Sequence, residues 1–261
     1  MTELSSNTLS KKDALVQYAA QIGDNGLIIG HRMSEWCFRA PSLEMEMALM
    51  NCALDLIGQA RELYSYAGTA GGDGRTEDDF AYLRDEIDFR NALLAEAPNG
   101  DWGDTIVRLF FMSAYNKLFF TALARSKDKE LAAIGAKSLK EVIYHLRFSS
   151  EWLIRLGDGT AESRRRVQNS IDNLWMFTGE LFTLNDAEKS LLEDGIAVDV
   201  TALKADWDQM VDAVLEQATL KRPENDWAQS GGKAEGRHTE HFGYILTDLQ
   251  FMQRRYPGCE W

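Results

Sequence analysis

Two pairs of polar side chains carry groups that could bind a metal ion. Glu141 and His145 lie four residues apart in the segment LKEVIYHLRF, and Asp55 and Gln59 have the same separation in ALDLIGQARELY. Residues four apart lie on one face of a helix, and carboxylate and imidazole groups are ligands of zinc and iron. Each pair could therefore supply one side of a metal site between two helices.

The spacing of both pairs differs from that in helical bundles that hold two iron ions. Those bundles take a Glu and a His three residues apart from each of two helices, because both side chains then point inward at the shared site. Here the residue three before His145 is Val142, and the residue three before Gln59 is Leu56. Both segments lack the required ligand pair. A single histidine on a core-facing helix is more often held by hydrogen bonds than by a metal.

A second group of histidines lies near the C-terminus, in the segment RHTEH. It contains His238, Glu240 and His241, and its HxxH spacing is compatible with zinc. The segment offers no fourth ligand and no matching cysteine pair. We therefore interpret the cluster as hydrogen bonding and packing at the start of a helix.

Composition and charge limit the possible partners and compartments. The chain has 261 residues, 45% of them hydrophobic, and a net charge of -13. An acidic surface is unsuited to nucleic acid or to an anionic membrane. Three cysteines without CxxC spacing are typical of free thiols in a reducing compartment. There is no export signal, and no window of about 18 uncharged apolar residues that would indicate a membrane span, so we expect a cytoplasmic protein.

Apolar residues recur with helical periodicity along most of the chain, and the prolines fall between or beyond the periodic stretches. The pattern predicts helices over residues 13–37, 42–67, 76–95, 104–125, 128–156, 160–184, 199–220 and 239–254. Helices of about 25 residues are near 37 Å long, a length that suits antiparallel packing with short connections. The predicted fold is all-α, a long antiparallel bundle with additional C-terminal helices.

We expect residues 1–261 to form a single domain without an interdomain linker. Its core bundle would cover about residues 9–184, and a C-terminal extension about residues 185–261. The segment 221–237 is long and irregular, which is uncommon inside a compact domain and often functional. Trp227 in its middle predicts that the segment docks onto the bundle or onto a partner.

Four long stretches carry a resemblance to a known family. They are GDNGLIIGHRMSEWCFRAPSLE, LDLIGQARELYSYAG, LAAIGAKSLKEVIYHLRFSSEWLIRLGDGT and GGKAEGRHTEHFGYILTDLQFMQRRYPG. In this order they resemble the phenylacetic acid catabolic protein family, the subunits of phenylacetyl-CoA epoxidase, and within it the C-type subunits. The resemblance extends over nearly the whole chain. It implies a ferritin-like bundle that belongs to a complex of bacterial aerobic phenylacetate degradation.

The resemblance also implies a division of labour. In this family the catalytic subunit holds the di-iron site and epoxidises the aromatic ring, whereas the C-type subunit is structural. It implies that this chain has no catalytic residue and no cofactor of its own. The implied partners are the catalytic subunit and, in the complex, other subunits including a reductase. A homodimer is possible when the chain is isolated.

Aligned with the catalytic subunit, the chain has lost most of the family's ligands. The ligand positions fall on Gly26, Leu56, Gln59, Val142 and His145, with a fourth-helix carboxylate near Ser113. One histidine cannot hold two irons. The resemblance therefore implies that the helix around His145 is the remnant of a di-iron helix.

Loss of two cations from a site lined with carboxylates would leave buried like charges, so apolar or neutralising replacements are required. Leu56 and Val142 are the apolar replacements. We expect the remaining groups to form a polar core network between the two inner helices, with Arg61 or Lys140 as a source of positive charge. Its members would be Asp55, Gln59, Glu141 and His145.

Two other functions remain as alternatives. A metal-binding oxygenase subunit in its own right would use His145 and Glu141 together with Glu44 and Glu46, but these two glutamates lie about three turns from Gln59 and on different faces. A CoA-ester binding module would contact phosphates through basic residues. The candidates for that role are Lys233, Arg237 and the triple arginine Arg164, Arg165 and Arg166.

Overall fold

A computed structural model describes residues 9–224 and 227–259, and every regular element in these two ranges is helical. The α-helices are α1 (Lys11–Ser34), α2 (Leu43–Gly71), α3 (Leu93–Glu96), α4 (Trp102–Leu123), α5 (Lys129–Gly157), α6 (Ala161–Leu174), α7 (Asp186–Leu192), α8 (Lys204–Gln217), α9 (Gly232–Glu235) and α10 (Phe242–Arg255). Neither range contains a strand, so the prediction of an all-α fold is confirmed. The ferritin-like arrangement stays a prediction.

Short polar side chains set the starts of the long helices. The Ser42 hydroxyl accepts the Met45 N–H at 3.4 Å, which opens α2 where the sequence predicts it. Asp101 and Asp104 form a reciprocal capping box at the start of α4. The Asp128 carboxylate accepts two N–H groups in the first turn of α5. Each cap satisfies donors that the first helical turn leaves without partners.

The four long helices form two connected pairs. α1 packs along α2, α4 packs along α5, and α2 contacts α5 across the pairs. Glycines on α1 bring the first pair close together: a Cβ on Gly26 would lie 2.8 Å from the Leu56 carbonyl oxygen, and one on Gly30 would lie 2.8 Å from the Ile57 side chain. Side chains larger than hydrogen would therefore separate α1 from α2.

Helix α4 is the most deeply buried of the long helices. Its length and apolar composition would allow it to cross a membrane, but 72% of its most apolar window is buried inside the protein. Phe110 and Phe111 lie fully within the core, and Phe111 contacts the ring of Trp207 from α8. Burial on all sides is typical of the central helix of a large core.

The predicted helix over residues 76–95 is wrong, because this stretch forms three short pieces. They are a π-helical turn at Asp79–Leu83, a 3-10 turn at Glu86–Asp88, and α3. Side chains of α1 take over the backbone donors here: Asp24 accepts the Arg90 N–H and Asn25 accepts the Ala92 N–H, both at 2.8 Å. The segment therefore satisfies its backbone without a continuous helix.

The predicted helix over residues 160–184 also ends early. α6 stops at Leu174, and two 3-10 turns, Trp175–Phe177 and Gly179–Phe182, complete the stretch. At Gly179 a Cβ would lie 2.6 Å from the Cβ of Ala228. The irregular turns are thus fitted against the segment that precedes α9, which periodicity within one helix cannot reveal.

The C-terminal residues continue the packing of the bundle. α7 contacts α1, α8 contacts α4 and α5, and α10 contacts the turn at Asp79–Leu83. Helix α7 was not predicted, and α8 begins at Lys204, after a 3-10 turn at Val200–Leu203. The division into a core bundle and an extension stays a prediction.

Candidate functional site

Asp55 on α2 and His145 on α5 form the first contact of the candidate site. The His145 Nε2 atom lies 3.0 Å from the Asp55 Oδ2 atom, and the imidazole is 1% exposed while the carboxylate is 35% exposed. Burial lowers the pKa of His145, and the Asp55 carboxylate opposes that effect. A carboxylate only accepts hydrogen bonds, so the neutral imidazole carries its proton on Nε2 and donates it to Asp55.

Gln59 and Glu141 form the second contact, one turn later on α2 and one turn earlier on α5. The Gln59 Nε2 atom donates to the Glu141 Oε2 atom at 2.8 Å, and Gln59 is buried. Burial raises the pKa of Glu141, and the hydrogen bond from Gln59 lowers it. The two contacts together form a polar seam, defined here as Asp55, Gln59, Glu141 and His145, which joins α2 to α5.

The expected source of positive charge differs from the one in the structure. Arg61 lies 3.3 Å from Glu77 in an exposed ion pair, and none of the ion pairs in the described ranges includes Lys140. Lys137 instead pairs with Glu62, and its charge lowers the pKa of Glu141. The charge beside the seam therefore comes from Lys137, one turn before Glu141 on α5.

The positions aligned with iron ligands do not fit a di-iron centre. Leu56 and Val142 are fully buried apolar side chains, and Gly26 lies against the Leu56 backbone with no space for a carboxylate. Ser113 is buried on α4. Within residues 9–224 and 227–259, no group of three or more His, Cys, Asp or Glu side chains is placed to hold a metal.

The ligands of the alternative oxygenase site also lie apart. Glu44 is exposed in the first turn of α2, where hydrogen bonds from its own backbone N–H and from Ser42 lower its pKa. Glu46 follows in the same turn. Neither approaches the polar seam, which begins about nine residues further along the helix at Asp55.

A small enclosed cavity lies beside the seam in the middle of the bundle. Its volume is about 20 Å³, close to that of a single water molecule. The lining combines apolar and aromatic side chains with polar ones from several elements, among them Gln21, Asn25, Gln59, Asn116 and Glu188. Arg90 and Lys233 also line the cavity, so it is bounded by cations as well as by amides.

The C-terminal histidine cluster separates into different environments. The His238 Nδ1 atom lies 2.8 Å from the Glu96 Oε2 atom, both side chains are fully buried, and the imidazole stacks on Phe242 with ring centres 4.0 Å apart. Glu240 is exposed, and His241 lies at the rim of a surface groove. The three residues therefore do not converge on one point, and His238 acts through packing and hydrogen bonding.

Sequence reasoning missed Glu96. Its carboxylate also accepts the Asn91 Nδ2 group at 2.9 Å and the Thr239 N–H. Because Thr239 is held there, α10 begins at Phe242 instead of Thr239. The available signal was the position of Glu96 in the apolar run ALLAEAP, where a buried charge must find partners.

The segment 221–237 docks onto the bundle through its second half. The Glu180 carboxylate accepts the N–H groups of Gly231 at 2.8 Å and Lys233 at 3.0 Å. The Lys233 ammonium lies 2.9 Å from Glu188 in a buried ion pair. Trp227 is 59% exposed, and its docking onto the bundle or onto a partner stays a prediction. The anchor is thus Lys233, which sequence reasoning had considered only as a phosphate contact.

The other basic residues of the CoA-ester alternative have protein partners. Arg237 pairs with Glu235 at 2.8 Å, and Arg164 donates to the Gly157 carbonyl at 2.7 Å. Arg165 and Arg166 both pair with Glu162 and are exposed. All of these basic groups are therefore engaged in contacts within the chain.

With this geometry established, comparison with known proteins gives the class. The sequence profile of the family described as phenylacetic acid catabolic protein matches residues 1–261. The chain therefore belongs to the phenylacetic acid catabolic protein family. It is similar to the C subunit of 1,2-phenylacetyl-CoA epoxidase from Escherichia coli (strain K12), with 47% identity over 247 residues that cover 95% of this chain and 99% of that protein.

Proposed function

We propose that the chain is a non-catalytic structural subunit of a phenylacetyl-CoA epoxidase complex of aerobic phenylacetate degradation. Its role would be to support a di-iron catalytic subunit that epoxidises the aromatic ring. The observation that carries this proposal is the burial of Leu56 and Val142 at positions aligned with iron ligands. The 47% identity to a protein named as the C subunit of such an epoxidase supports the assignment to a complex of several subunits.

The polar seam supports the same proposal. Its two hydrogen bonds join α2 and α5 through side chains, so that Asp55 and His145 use their polar atoms on each other. A metal ion would require several converging groups that donate electron pairs. Here the neutral imidazole uses its Nε2 proton for Asp55, and the neighbouring positions are apolar. The seam therefore acts as a structural connection between helices.

The further parts of the proposal concern partners and location. We propose that the chain associates with the catalytic subunit and with a complex that includes a reductase, in the cytoplasm, without contact to nucleic acid or membrane. A net charge of -13 supports the last point. A homodimer in the absence of the catalytic subunit is also proposed.

The experiment that tests the proposal is elemental analysis for iron, manganese and zinc. The purified chain is measured alone, and again after it is purified together with the catalytic subunit. We expect less than about a tenth of an equivalent of metal in the chain alone, and iron only in the joint complex. Stoichiometric metal in the lone chain would overturn the structural role and make His145 a ligand.

A matched control comes from substrate turnover. The chain alone should not consume phenylacetyl-CoA when supplied with the reductase and oxygen, whereas addition of the catalytic subunit should start consumption. Turnover by the lone chain would favour the metal-binding oxygenase alternative. Copurification of an acyl-CoA with the lone chain would favour the CoA-ester binding alternative, although the arginines and Lys233 already have protein partners.

A further inference from the structure

The solvent-facing side of α2 carries an apolar row with regular spacing. Leu43, Met47 and Leu54 are 69%, 59% and 68% exposed, Ile57 is 38% exposed, and Met50 is half-buried between them. The intervals along the chain are four, three, four and three residues. These five side chains, defined here as the α2 ridge, therefore lie on one face of the helix, opposite the buried Leu49, Leu56 and Leu63. Ile57 is at the edge of the ridge, where its side chain also lies against α1.

Alternating intervals of three and four residues are the spacing by which one helix packs along another. A single exposed leucine needs no explanation, but a row of apolar residues over four turns of a solvent-facing helix indicates an interaction surface. Gly58 lies at the end of the ridge, and a Cβ there would meet no atom within 4 Å. A glycine in an open position inside a helix costs stability within this chain, and it allows the backbone of another helix to approach.

Phe38 extends the apolar surface toward the start of α2. The ring is 93% exposed, and the residue adopts a positive φ of 62°. Such a backbone conformation is unfavourable for a bulky L-residue. It lies five residues before Leu43, in the turn that leads into α2. A strained backbone that projects an aromatic ring into solvent is expected where that ring contacts a partner.

We infer that the α2 ridge, together with Phe38, is the seat for an α-helix of the di-iron catalytic subunit. This inference rests on the proposed function and adds the surface and the kind of element that occupies it. The flanks of the ridge favour a different chain over a second copy of this one. Glu44 and Glu46 lie beside it, and neither forms an ion pair within the described part of the chain.

If two copies of this chain met through their ridges, the acidic residues beside each ridge would face another chain of net charge -13. Like charges across a helix pair are destabilising, whereas basic flanks on the partner helix would be complementary. The occupant is therefore expected to present an apolar face of the same spacing with lysine or arginine beside it.

The test compares Leu54→Glu and Met47→Glu with a matched control, Leu83→Glu. Leu83 is also exposed, at 55%, but lies in the turn at Asp79–Leu83, outside the α2 ridge. Binding to the purified catalytic subunit is measured by titration, with circular dichroism and thermal unfolding as checks on folding. We expect each ridge variant to weaken binding at least about tenfold, because a charge must then be buried. The control should bind as the wild type does.

The outcomes separate this inference from the proposed function. If the wild-type chain does not bind the catalytic subunit, the proposed function fails, and the inference fails with it. If the wild type binds and both folded ridge variants bind equally well, only the inference is overturned. Light scattering on the lone chain gives a third outcome: a dimer that Leu54→Glu dissociates, with unchanged binding to the catalytic subunit, would assign the ridge to a second copy and overturn the inference.

Discussion

Two histidine–carboxylate pairs in this protein have the same chemistry and different surroundings. His145 and Asp55 join α2 to α5, and the carboxylate keeps 35% of its surface in solvent. His238 and Glu96 are both fully buried, and Glu96 accepts two further hydrogen bonds from Asn91 and Thr239. The first pair is a local connection between two helices, whereas the second joins the stretch 91–96 to the segment before α10 through several hydrogen bonds.

The comparison teaches that ligand-like residue types do not identify the polar group on which the fold depends most. Water can hydrate Asp55 if its partner is removed, so the cost of losing that contact is limited. No solvent reaches Glu96, and the loss of one partner there leaves buried polar groups without hydrogen bonds. The extent of burial, more than the identity of the paired residues, should therefore decide which of the two clusters contributes more to the free energy of unfolding.

The largest effect is expected from Glu96→Ala. The substitution removes the carboxylate and leaves His238, Asn91 and the Thr239 N–H buried without their acceptor. We expect a loss of about 3–5 kcal/mol in the free energy of unfolding, measured by urea denaturation. The Arg32 side chain contacts Glu96 through the backbone oxygen of Glu96 and not through its carboxylate, so that contact survives the substitution.

Glu240→Ala is the control for this change, because Glu240 is an exposed carboxylate in the same region. It should change the free energy of unfolding by less than about 0.5 kcal/mol. If the free energy of unfolding of Glu96→Ala is within about 1 kcal/mol of the wild-type value, burial does not decide which cluster matters more for stability.

Lys233→Ala tests whether the ranking holds for a pair without histidine. Lys233 and Glu188 are 7% and 1% exposed, and the substitution leaves Glu188 charged and buried. We expect a loss of about 3 kcal/mol in the free energy of unfolding. We also expect faster proteolysis within the segment 221–237, which Lys233 anchors. Arg237→Ala breaks an exposed pair four residues away and should cost less than about 1 kcal/mol. Equal losses in the free energy of unfolding for the two variants would show that burial is not the deciding property.

Much of this molecule could be predicted from the sequence, and the failures have a common cause. Caps such as Ser42 and the periodicity of α5 depend on residues close in the chain, and both were predicted within a few residues of their bounds. The broken stretch 76–95 depends on Asp24 and Asn25, more than fifty residues away. Periodicity contains no information about such long-range hydrogen bonds.

In the candidate site, too, the features set by local spacing were predicted and those set by distant residues were not. The pairing of α2 with α5 through Asp55 and His145 was expected, because a face with four-residue spacing is a local property. The burial of Glu96 was missed, because its partners come from the segment before α10 and from Asn91 before α3. The neutralising lysine was also misplaced by one turn of α5, since the direction of a long flexible side chain is not set by sequence spacing.

The pH dependence of stability should report on His145. Burial lowers its pKa in the folded state below the ordinary value of 6.5. Between the two values the unfolded chain binds more protons than the folded one, so stability rises with pH through this window and falls on acidification. We expect His145→Gln to flatten the part of the profile that lies below about pH 6.5, the ordinary pKa of histidine. Urea denaturation at several pH values measures it, and an unchanged slope would show that His145 does not titrate with folding.

The smallest effect is expected from Glu141→Gln, and its sign is opposite to that of the other changes. Burial raises the pKa of Glu141 in the folded state above the ordinary value of 4.5. The stabilisation contributed by the protonated carboxyl group is therefore fully present below pH 4.5 and is lost as pH rises through the folded pKa. The ionised carboxylate is therefore a small cost at neutral pH.

Glutamine at this position has the same shape, keeps an oxygen that accepts from Gln59, and removes the charge. Because Glu141 is partly exposed, solvent screening limits the gain in the free energy of unfolding to roughly 0.3 kcal/mol at about pH 7.5. Glu62→Gln is the control on α2, since it breaks an exposed pair with Lys137 and should be neutral or slightly destabilising. If Glu141→Gln instead costs more than about 1 kcal/mol, the seam would have the same energetic weight as the buried Glu96 cluster, and exposure would not explain the difference between the two regions.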